Sequence, residues 1–574
     1  MRVVLGLLLN LLRLPLWPLW LLGRLLGRPR GEWVLFRVHA RLVELARPRP
    51  FFLRYVPGLM KALPTPLEVL RRAADHLARD RKARGAVFVI PPLAAGWATC
   101  TALRDVLVGL RAAGKEVVVH LPRGGGNREL FVASAADRVL LGREAPIVAL
   151  GLSIETRYLK ALLDRVGLQV EAFARGEYKT AAERVVRDRM SDAQREQLGA
   201  LLEAIDGELV RALAPRFGGD EARVREVFER GFLRGEAAVE AGLADGTAYE
   251  DELAAKLDRD GRPARIVRAP RYLAFREGTF FRPVLPRPYI AVVELTGAIA
   301  EQAPGVGGRG VDLDQTVRAL RAARADRRAV GVVLHVDSPG GSATASDLIH
   351  REVLRLRERK PVVAVLGDVA ASGGYYVAAP AHAIVAQPLT LTGSIGVVSA
   401  RFMARELLDR IGVRTETLRT APHADMFSPA RALDDAERAL IDRELDAFYQ
   451  AFLQVVAEGR GRSVEEVDRV ARGRVWAAAD AAQRGLVDRM GGMREGLEEV
   501  RGRLRLPEVA RRRIRPRLVS PPRGEPPTPE PPAPASSGPR AMVERLAPEV
   551  LTLVDLATGP DHVLYYATDL PSVR

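Results

Sequence analysis

TGSIGVVSARFMARELLDRIG (Thr392–Gly412) and GLSIETRYLKALLDRVG (Gly151–Gly167) are one module written twice, with LLDRIG at 407–412 answering LLDRVG at 162–167. The echo GLAD at 242–245 and GLVD at 485–488 closes each copy. Repeats this far apart are duplicated domains, not the short units of a solenoid. Carrying the offset upstream sets Ser372 of AASGGYYVAA opposite Asn127 of GGGNRELFVAS. Carrying it to Lys179 of ARGEYKTAAE meets Ala424 or its neighbours. Each copy therefore holds a reactive side chain that the other lacks.

Around these anchors, short apolar runs alternate with helical patterns. AVFVIPPL (86–93), EVVVHL (116–121) and RVLLG (138–142) read as buried strands in the first copy, with ALRDVLVGLRAAG (102–114) as a crossover helix and a further helix over 66–84. YIAVVEL (289–295), AVGVVLHVD (329–337), PVVAVLGD (361–368) and AIVAQ (383–387) repeat the order in the second, with helices over 314–326 and 343–359. Strand, helix, strand in succession predicts an α/β fold with parallel sheets and right-handed crossovers. The expected division is a membrane anchor or interfacial helix over 1–30, an N-terminal domain over 40–260 carrying Lys179, and a C-terminal domain over 285–505 carrying Ser372. A Pro-rich linker over 515–540 and a segment over 541–574 with no readable role follow.

The formal charge of +16 is concentrated at the ends. Ten Arg face only Glu32 and Glu44 in residues 1–54, and nine Arg face Glu508 in residues 501–523. Basic ends on a nearly balanced body point to a membrane surface, not to nucleic acid. Cys100 is the only cysteine, which excludes an intrachain disulfide and a cysteine zinc cluster, and eight scattered His without HExxH argue against a metal hydrolase. Val3–Gly23 is apolar over about the 20 residues that span a bilayer. Arg13, Asn10, Pro15 and Pro18 interrupt it, so a helix lying in the interface is the competing reading. Arg24, Arg28, Arg30 and Arg37 after the span favour a cytoplasmic body by the positive-inside bias.

Ser372 follows a buried strand and a small-residue turn and opens a helix at Gly373-Gly374. It reads either as a plain N-cap serine or as a nucleophile at a helix N-terminus. AASGG is not the GxSxG elbow of α/β-hydrolases, so another activating group is needed. Lysine supplies one. Of 87 basic residues only seven are Lys, at 61, 82, 115, 160, 179, 256 and 360. Arg cannot serve as a base, whereas a desolvated Lys accepts a proton from a serine hydroxyl. VDSPGGSATAS (Val336–Ser346) puts Gly340 and Gly341 in a tight turn before a helix, either as a simple connection or as amide donors for an oxyanion. Ser394 of TGSIGV either caps a turn or holds a catalytic amine. His335, mid-strand, reads as packed. His382 lies about 15 Å from Ser372 if one helix joins them, beyond hydrogen-bond reach.

Taken together, HVDSPGGSATAS, GDVAASGGYYVAA and LTGSIGVVS in this order, with GEYKTAAE in the first copy, resemble the signal peptide peptidase A family, also called protease IV, in its long duplicated form. The resemblance spans residues 85 to 500. It implies two ClpP/crotonase-like domains of repeated β-β-α units, with Ser372 as nucleophile, Lys179 as general base, Ser394 orienting the lysine and the Gly340-Gly341 turn as the oxyanion loop. It implies endopeptidase cleavage of leftover signal peptides and other apolar membrane segments, with no cofactor and no metal. It further implies a homotetramer on the bacterial cytoplasmic membrane, bound to lipid through its N-terminus, with catalytic domains on the periplasmic side. The arginines after the anchor oppose that orientation. Two other readings are an inactive membrane scaffold and a crotonase-like acyl-thioester enzyme that would need neither Ser372 nor Lys179. Because the two reactive residues fall in different copies, the dyad is expected at the seam between the halves.

Overall fold

Runs of Val, Ile and Ala with no polar face form strands that are covered on both sides. The computed structural model describes residues 2–28, 31–46, 64–258, 261–281, 284, 287–302 and 310–519. The chain divides into one unit of residues up to 153 with 203–288, and another of 154–202 with those from 289 onward. The first unit is a parallel sheet in the order Gly246–Thr247, Arg138–Leu141, Glu116–Leu121, Gly85–Val89, Trp33–Arg37, Ile266–Arg268. The second repeats that order, again parallel, with Arg489–Met490, Ala383–Ala386, Val362–Ala371, Ala329–Ser338, Tyr289–Thr296 and Arg515–Leu518. The strands expected from the sequence are present, most within a residue or two of their expected starts.

Side chains repeat with the strands. Lys115 Nζ donates to the carbonyls of Asp80 and Ala83 at 2.6 and 2.7 Å, and Lys360 Nζ to those of Ala323 and Asp326 at 2.6 and 2.7 Å. Both ammonium groups satisfy carbonyls where a helix ends. Asp245 accepts from Val139 N at 2.7 Å, and Asp488 from Ile384 N at 2.7 Å. The duplication thus extends to the polar side chains that hold each sheet to its loops.

In the second unit the core is formed by side chains such as Val332, Leu334, Val362, Ala364 and Ile384, all fully buried. Each large one contributes about 1.5–3 kcal/mol by leaving water. The central strand forks. Val363–Val365 pair with Ala383–Val385, while Val369–Ala371 pair with Leu391–Gly393, which is itself antiparallel to Val475–Ala477. The fork ends at Ala371, so the next residue, Ser372, leaves the sheet where two strand ends diverge.

Three expectations are corrected. Lys179 does not pack with the N-terminal domain assigned to 40–260. Gln169–Arg175 pairs antiparallel with Val397–Met403 from Val397↔Arg175 to Met403↔Gln169, which carries 154–202 into the second unit. Arg515–Leu518 is not linker but the edge strand that answers Ile266–Arg268, and an edge tolerates Pro516, which lacks an N–H. The rest of the Pro-rich stretch from 520, and all of 541–574, lie outside the described residues.

The third concerns the N-terminus, in its spanning reading and not in its interfacial one. It folds as helices Arg2–Arg13 and Trp17–Leu26 separated by a 3-10 turn at Leu14–Leu16, with Pro15 and Pro18 at the starts of the turn and of the second helix. Among the described residues no helix is long and apolar enough to cross a membrane. Trp20 packs on Phe280 at 5.5 Å between ring centres, and Arg24 donates to the carbonyls of Phe275, at 2.8 Å, and Gly278.

Candidate active site

Ser372 occupies the N-cap position of the short helix Gly373–Ala378, yet its side chain does not cap it. Ser342 and Ser463, by contrast, accept from the amides of Ala345 and Glu466, each at 3.2 Å, in the ordinary way. The backbone explains the difference. Ser372 has φ 52° and ψ −122°, a conformation that costs a residue with a Cβ about 1–3 kcal/mol, and its N–H is fixed to Gly393 O at 2.9 Å. This turns Oγ away from the helix. It meets Lys179 Nζ at 3.1 Å.

Lys179 arrives from the end of the Gln169–Arg175 strand. Gly176, at φ 97°, lets the chain pass close against Arg472, and Tyr178 N donates to Arg472 O at 2.9 Å. The amine also donates to Ser394 O and Ser394 Oγ, both at 2.9 Å. Lys179 is 6% exposed. Burial is the cause that lowers its pKa from the ordinary 10.5 to about 7. The neighbouring charges are matched to one another instead. Glu177 lies 3.7 Å from Arg472, and Glu196 accepts from Arg474 at 2.6 Å.

Ser394 also has a positive φ, 52°, and its N–H donates to Arg474 O at 2.7 Å. Gly340 and Gly341, at φ 106° and 150°, form the turn after the Ala329–Ser338 strand. Ile299 bridges to it, donating to Gly340 O and accepting from Ser342 N, both at 2.8 Å. Gly340 N donates to Ser338 Oγ at 3.2 Å, so of the two expected amides only that of Gly341 lies outside these bonds. A Cβ on Gly340 would fall 2.8 Å from both Gly373 N and Ser372 Cβ. The bare backbone at 340 is therefore what keeps the space beside Ser372 open.

The structure brings Ser372, Lys179, Ser394, Gly340 and Gly341 into one neighbourhood of the second unit, instead of at a seam between halves. It leaves the histidines out. His382 Nδ1 accepts from Val362 N at 3.1 Å beside the sheet, past a helix that ends at Ala378, and His335 stays within its strand. Asn127, which answers Ser372, is the first residue of the helix Asn127–Ala133 and donates from Nδ2 to Gly151 O at 2.6 Å. Among the described residues, His423, Asp434 and Glu437 approach one another as metal ligands would, but Glu437 is held by Arg431 at 2.5 and 2.7 Å and caps the Asp435–Arg460 helix. Gln197, Arg474 and Gly473, which carry no motif in the sequence, surround the Lys179 loop. A glycine between two arginines in ARGRVW was the one local mark.

Chemically, a hydroxyl beside a buried amine of lowered basicity is a nucleophile with its proton acceptor in place. The profile of peptidase family S49 matches residues 110–262 and again 355–506. The chain is 31% identical over 438 residues to a chloroplastic serine protease, SPPA, of Arabidopsis thaliana, covering 75% of this chain and 64% of that protein. It is 33% identical over 377 residues to Protease 4 of Salmonella typhi, covering 63% and 60% of the two chains, and 30% identical over 405 residues to Protease 4 of Haemophilus influenzae, covering 67% and 64%. The chain thus spans between 60% and 64% of the length of these relatives.

Proposed function

The chain belongs to peptidase family S49, and from that membership and the Ser372–Lys179 geometry we propose that it is a serine endopeptidase that cleaves released signal peptides and other apolar peptides from membranes. The observation that carries this reading is the Ser372 hydroxyl, turned from its own helix toward a buried amine 3.1 Å away. Neutral Lys179 takes the Oγ proton as Ser372 attacks the peptide carbonyl. The Gly341 N–H, with that of Gly373 beside it, holds the oxyanion. The lysine ammonium returns the proton to the leaving amine as the C–N bond breaks, leaving an ester on Ser372. Water, deprotonated by the same amine, then releases the acid product. Ser394 holds the amine through Oγ and its carbonyl, so the nitrogen lone pair faces Ser372.

Neither alternative reading gives a reason for a desolvated amine against a strained serine. A scaffold gains nothing from either, and an enolate-stabilising acyl-thioester enzyme uses the amide turn alone. A fluorophosphonate probe tests the proposal. It labels the full chain once, on Ser372, and labelling disappears in Lys179→Arg. Cleavage of an apolar signal peptide by protein carrying no label on Ser372 would sink the reading. For the oxyanion turn, Gly340→Ala is expected to lower kcat by about 10²–10³-fold and to change KM much less, because the new Cβ lies at the reacting atoms. An unchanged kcat removes that turn from the mechanism.

The proposal extends to location and assembly. The N-terminal helices lie along the bacterial cytoplasmic membrane, with the catalytic body on its periplasmic side, and the chains assemble as tetramers. Leu12, Leu19, Leu25 and Leu26 are 75%, 68%, 66% and 72% exposed, an apolar surface that marks lipid or protein contact, with Arg13 and Arg24 at its flanks. Co-sedimentation with anionic liposomes and the mass of the assembled particle decide these two points.

A further inference from the structure

Lys179 and Ser394 hang from consecutive parts of one short turn. Arg472 O accepts from Tyr178 N at 2.9 Å, and Arg474 O accepts from Ser394 N at 2.7 Å. Between them Gly473 donates to Ile395 O at 2.8 Å, and at φ 78° it lies so close that a Cβ there would be 2.5 Å from Lys179 N and 2.6 Å from Lys179 Cβ. The turn is itself fixed. Arg472 has φ 46°, and its N–H donates at 3.2 Å to the Tyr449 hydroxyl, which donates in turn to Asp468 at 2.6 Å.

What fastens the lysine loop to this turn from the other side is Gln197, on the Asp192–Leu213 helix. The residue is 4% exposed and its carboxamide uses both ends. Oε1 accepts from Val475 N at 3.2 Å, while Nε2 donates to Tyr178 O at 3.1 Å and to Thr180 Oγ1 at 2.8 Å. The outer wall is aromatic and charged. The Arg474 guanidinium lies over the Tyr178 ring at 4.6 Å and the Trp476 ring at 4.3 Å, and Glu196 accepts from both Arg474, at 2.6 Å, and the Tyr178 hydroxyl, at 2.9 Å. A guanidinium stacked between two rings and held by a carboxylate is a rigid cover, which Lys could not reproduce.

We propose that Gln197 is a positioning residue for catalysis: by tying the residues on either side of Lys179 to the Arg472–Val475 segment, it sets the amine against Ser372 and keeps water from it. The proposal rests on the Ser/Lys reading above. A Lys side chain has four freely rotating carbons, and an amine that must sit within about 3 Å of a hydroxyl is placed by where its backbone is held. The tie also decides the dryness of the site. The ionisable groups on the elements packed against the Lys179 loop are Glu177 and Tyr178 on the loop itself, Glu196 on the Gln197 helix, and Arg472, Arg474 and Asp468 about the turn, while Arg401 is bonded to Ser428 O and Arg431 O, Tyr375 to Leu486 O and Tyr376 to Asp347. The amine hydrogen-bonds to none of them, so loss of burial is the change that returns its basicity toward the ordinary lysine value.

The test is the pH profile of the full chain on an apolar signal peptide for Gln197→Ala, Gln197→Glu and the milder Thr180→Val, which removes only one acceptor of Nε2. Gln197→Ala is expected to lower kcat at pH 7 by about 5- to 50-fold with KM nearly unchanged, and to move the acid limb up by about one to two pH units. The deficit then shrinks toward pH 9. Thr180→Val shows the same movement in smaller degree, and reads it even where the Gln197 variants fold poorly. A wild-type limb in all variants that fold, or a loss equal at every pH, overturns the proposal. Ser372→Ala in the same assay separates the two readings. Activity surviving in it defeats the Ser/Lys mechanism itself, whereas a dead Ser372→Ala beside wild-type profiles for Gln197 and Thr180 variants defeats the positioning role alone.

Discussion

Ser372→Ala is expected to remove peptide cleavage from the full chain, with kcat/KM falling by about 10⁵- to 10⁶-fold, as when the nucleophile of a serine hydrolase is deleted. The same substitution is expected to change unfolding free energy by no more than about 1 kcal/mol. Both halves of this expectation come from one geometric fact. An N-cap serine would lose about 1 kcal/mol or more on truncation, because its oxygen satisfies a helix amide. The Ser372 oxygen satisfies none, and its contact is with Lys179, which keeps two bonds to Ser394. The strained backbone at φ 52° is equally strained with Ala. Kinetics with denaturant unfolding on the same sample check the pair. Residual activity above about one per cent, or a large loss of stability, would return Ser372 to the role of a structural cap.

Much of this was legible in the sequence. The buried strands declared themselves because a parallel sheet covered on both faces is written in unbroken Val, Ile and Ala, as in EVVVHL and AVGVVLHVD. Lys179 stood out because the chain uses Arg for nearly every other cation. The structure refines that signal, since Lys115 and Lys360 also turn their ammonium ends inward, but onto helix-terminal carbonyls. What stayed hidden depends on contacts distant in sequence. The allegiance of 154–202 is set by the antiparallel pairing of Gln169–Arg175 with Val397–Met403, more than two hundred residues on, and no local pattern announces a partner. The repeat itself was misleading there, because residues alike in sequence need not pack within the same unit. Gln197 was invisible for a different reason. A glutamine inside a helical stretch reads as surface, and only the folded chain shows both ends of its amide in use. Arg515–Leu518 was lost in the composition of the Pro-rich stretch that follows it.

Lysine 179 is expected to cost the fold stability in the amount that its chemistry requires, and this is measurable. Its pKa is about 7 when folded and about 10.5 in an exposed chain. Below pH 7 both states hold the proton, and the folded state bears the whole cost of a buried ammonium. Between about 7 and about 10.5 the unfolded chain binds more protons than the folded one, so unfolding free energy rises with pH, by about 1.4 kcal/mol per unit. Above 10.5 neither state holds the proton and the difference is gone. The full span is about 4–5 kcal/mol. Lys179→Met removes this dependence while filling nearly the same space, and it gives up the amine's hydrogen bonds to Ser394, worth about 1–3 kcal/mol. At pH 6 to 7 the Met variant is therefore expected to be inactive and yet more stable than the native chain by about 1–4 kcal/mol, with the order reversing near pH 10. Lys179→Arg, which cannot shed its proton, is expected to be inactive at every pH. In the native chain kcat/KM is expected to climb about tenfold per unit up to about pH 7 and then level, because only the neutral amine accepts the Ser372 proton. Parallel stability curves for the native chain and Lys179→Met, from pH 6 to 10, would mean that the amine is not buried as a base, and the Ser/Lys mechanism would lose its physical ground.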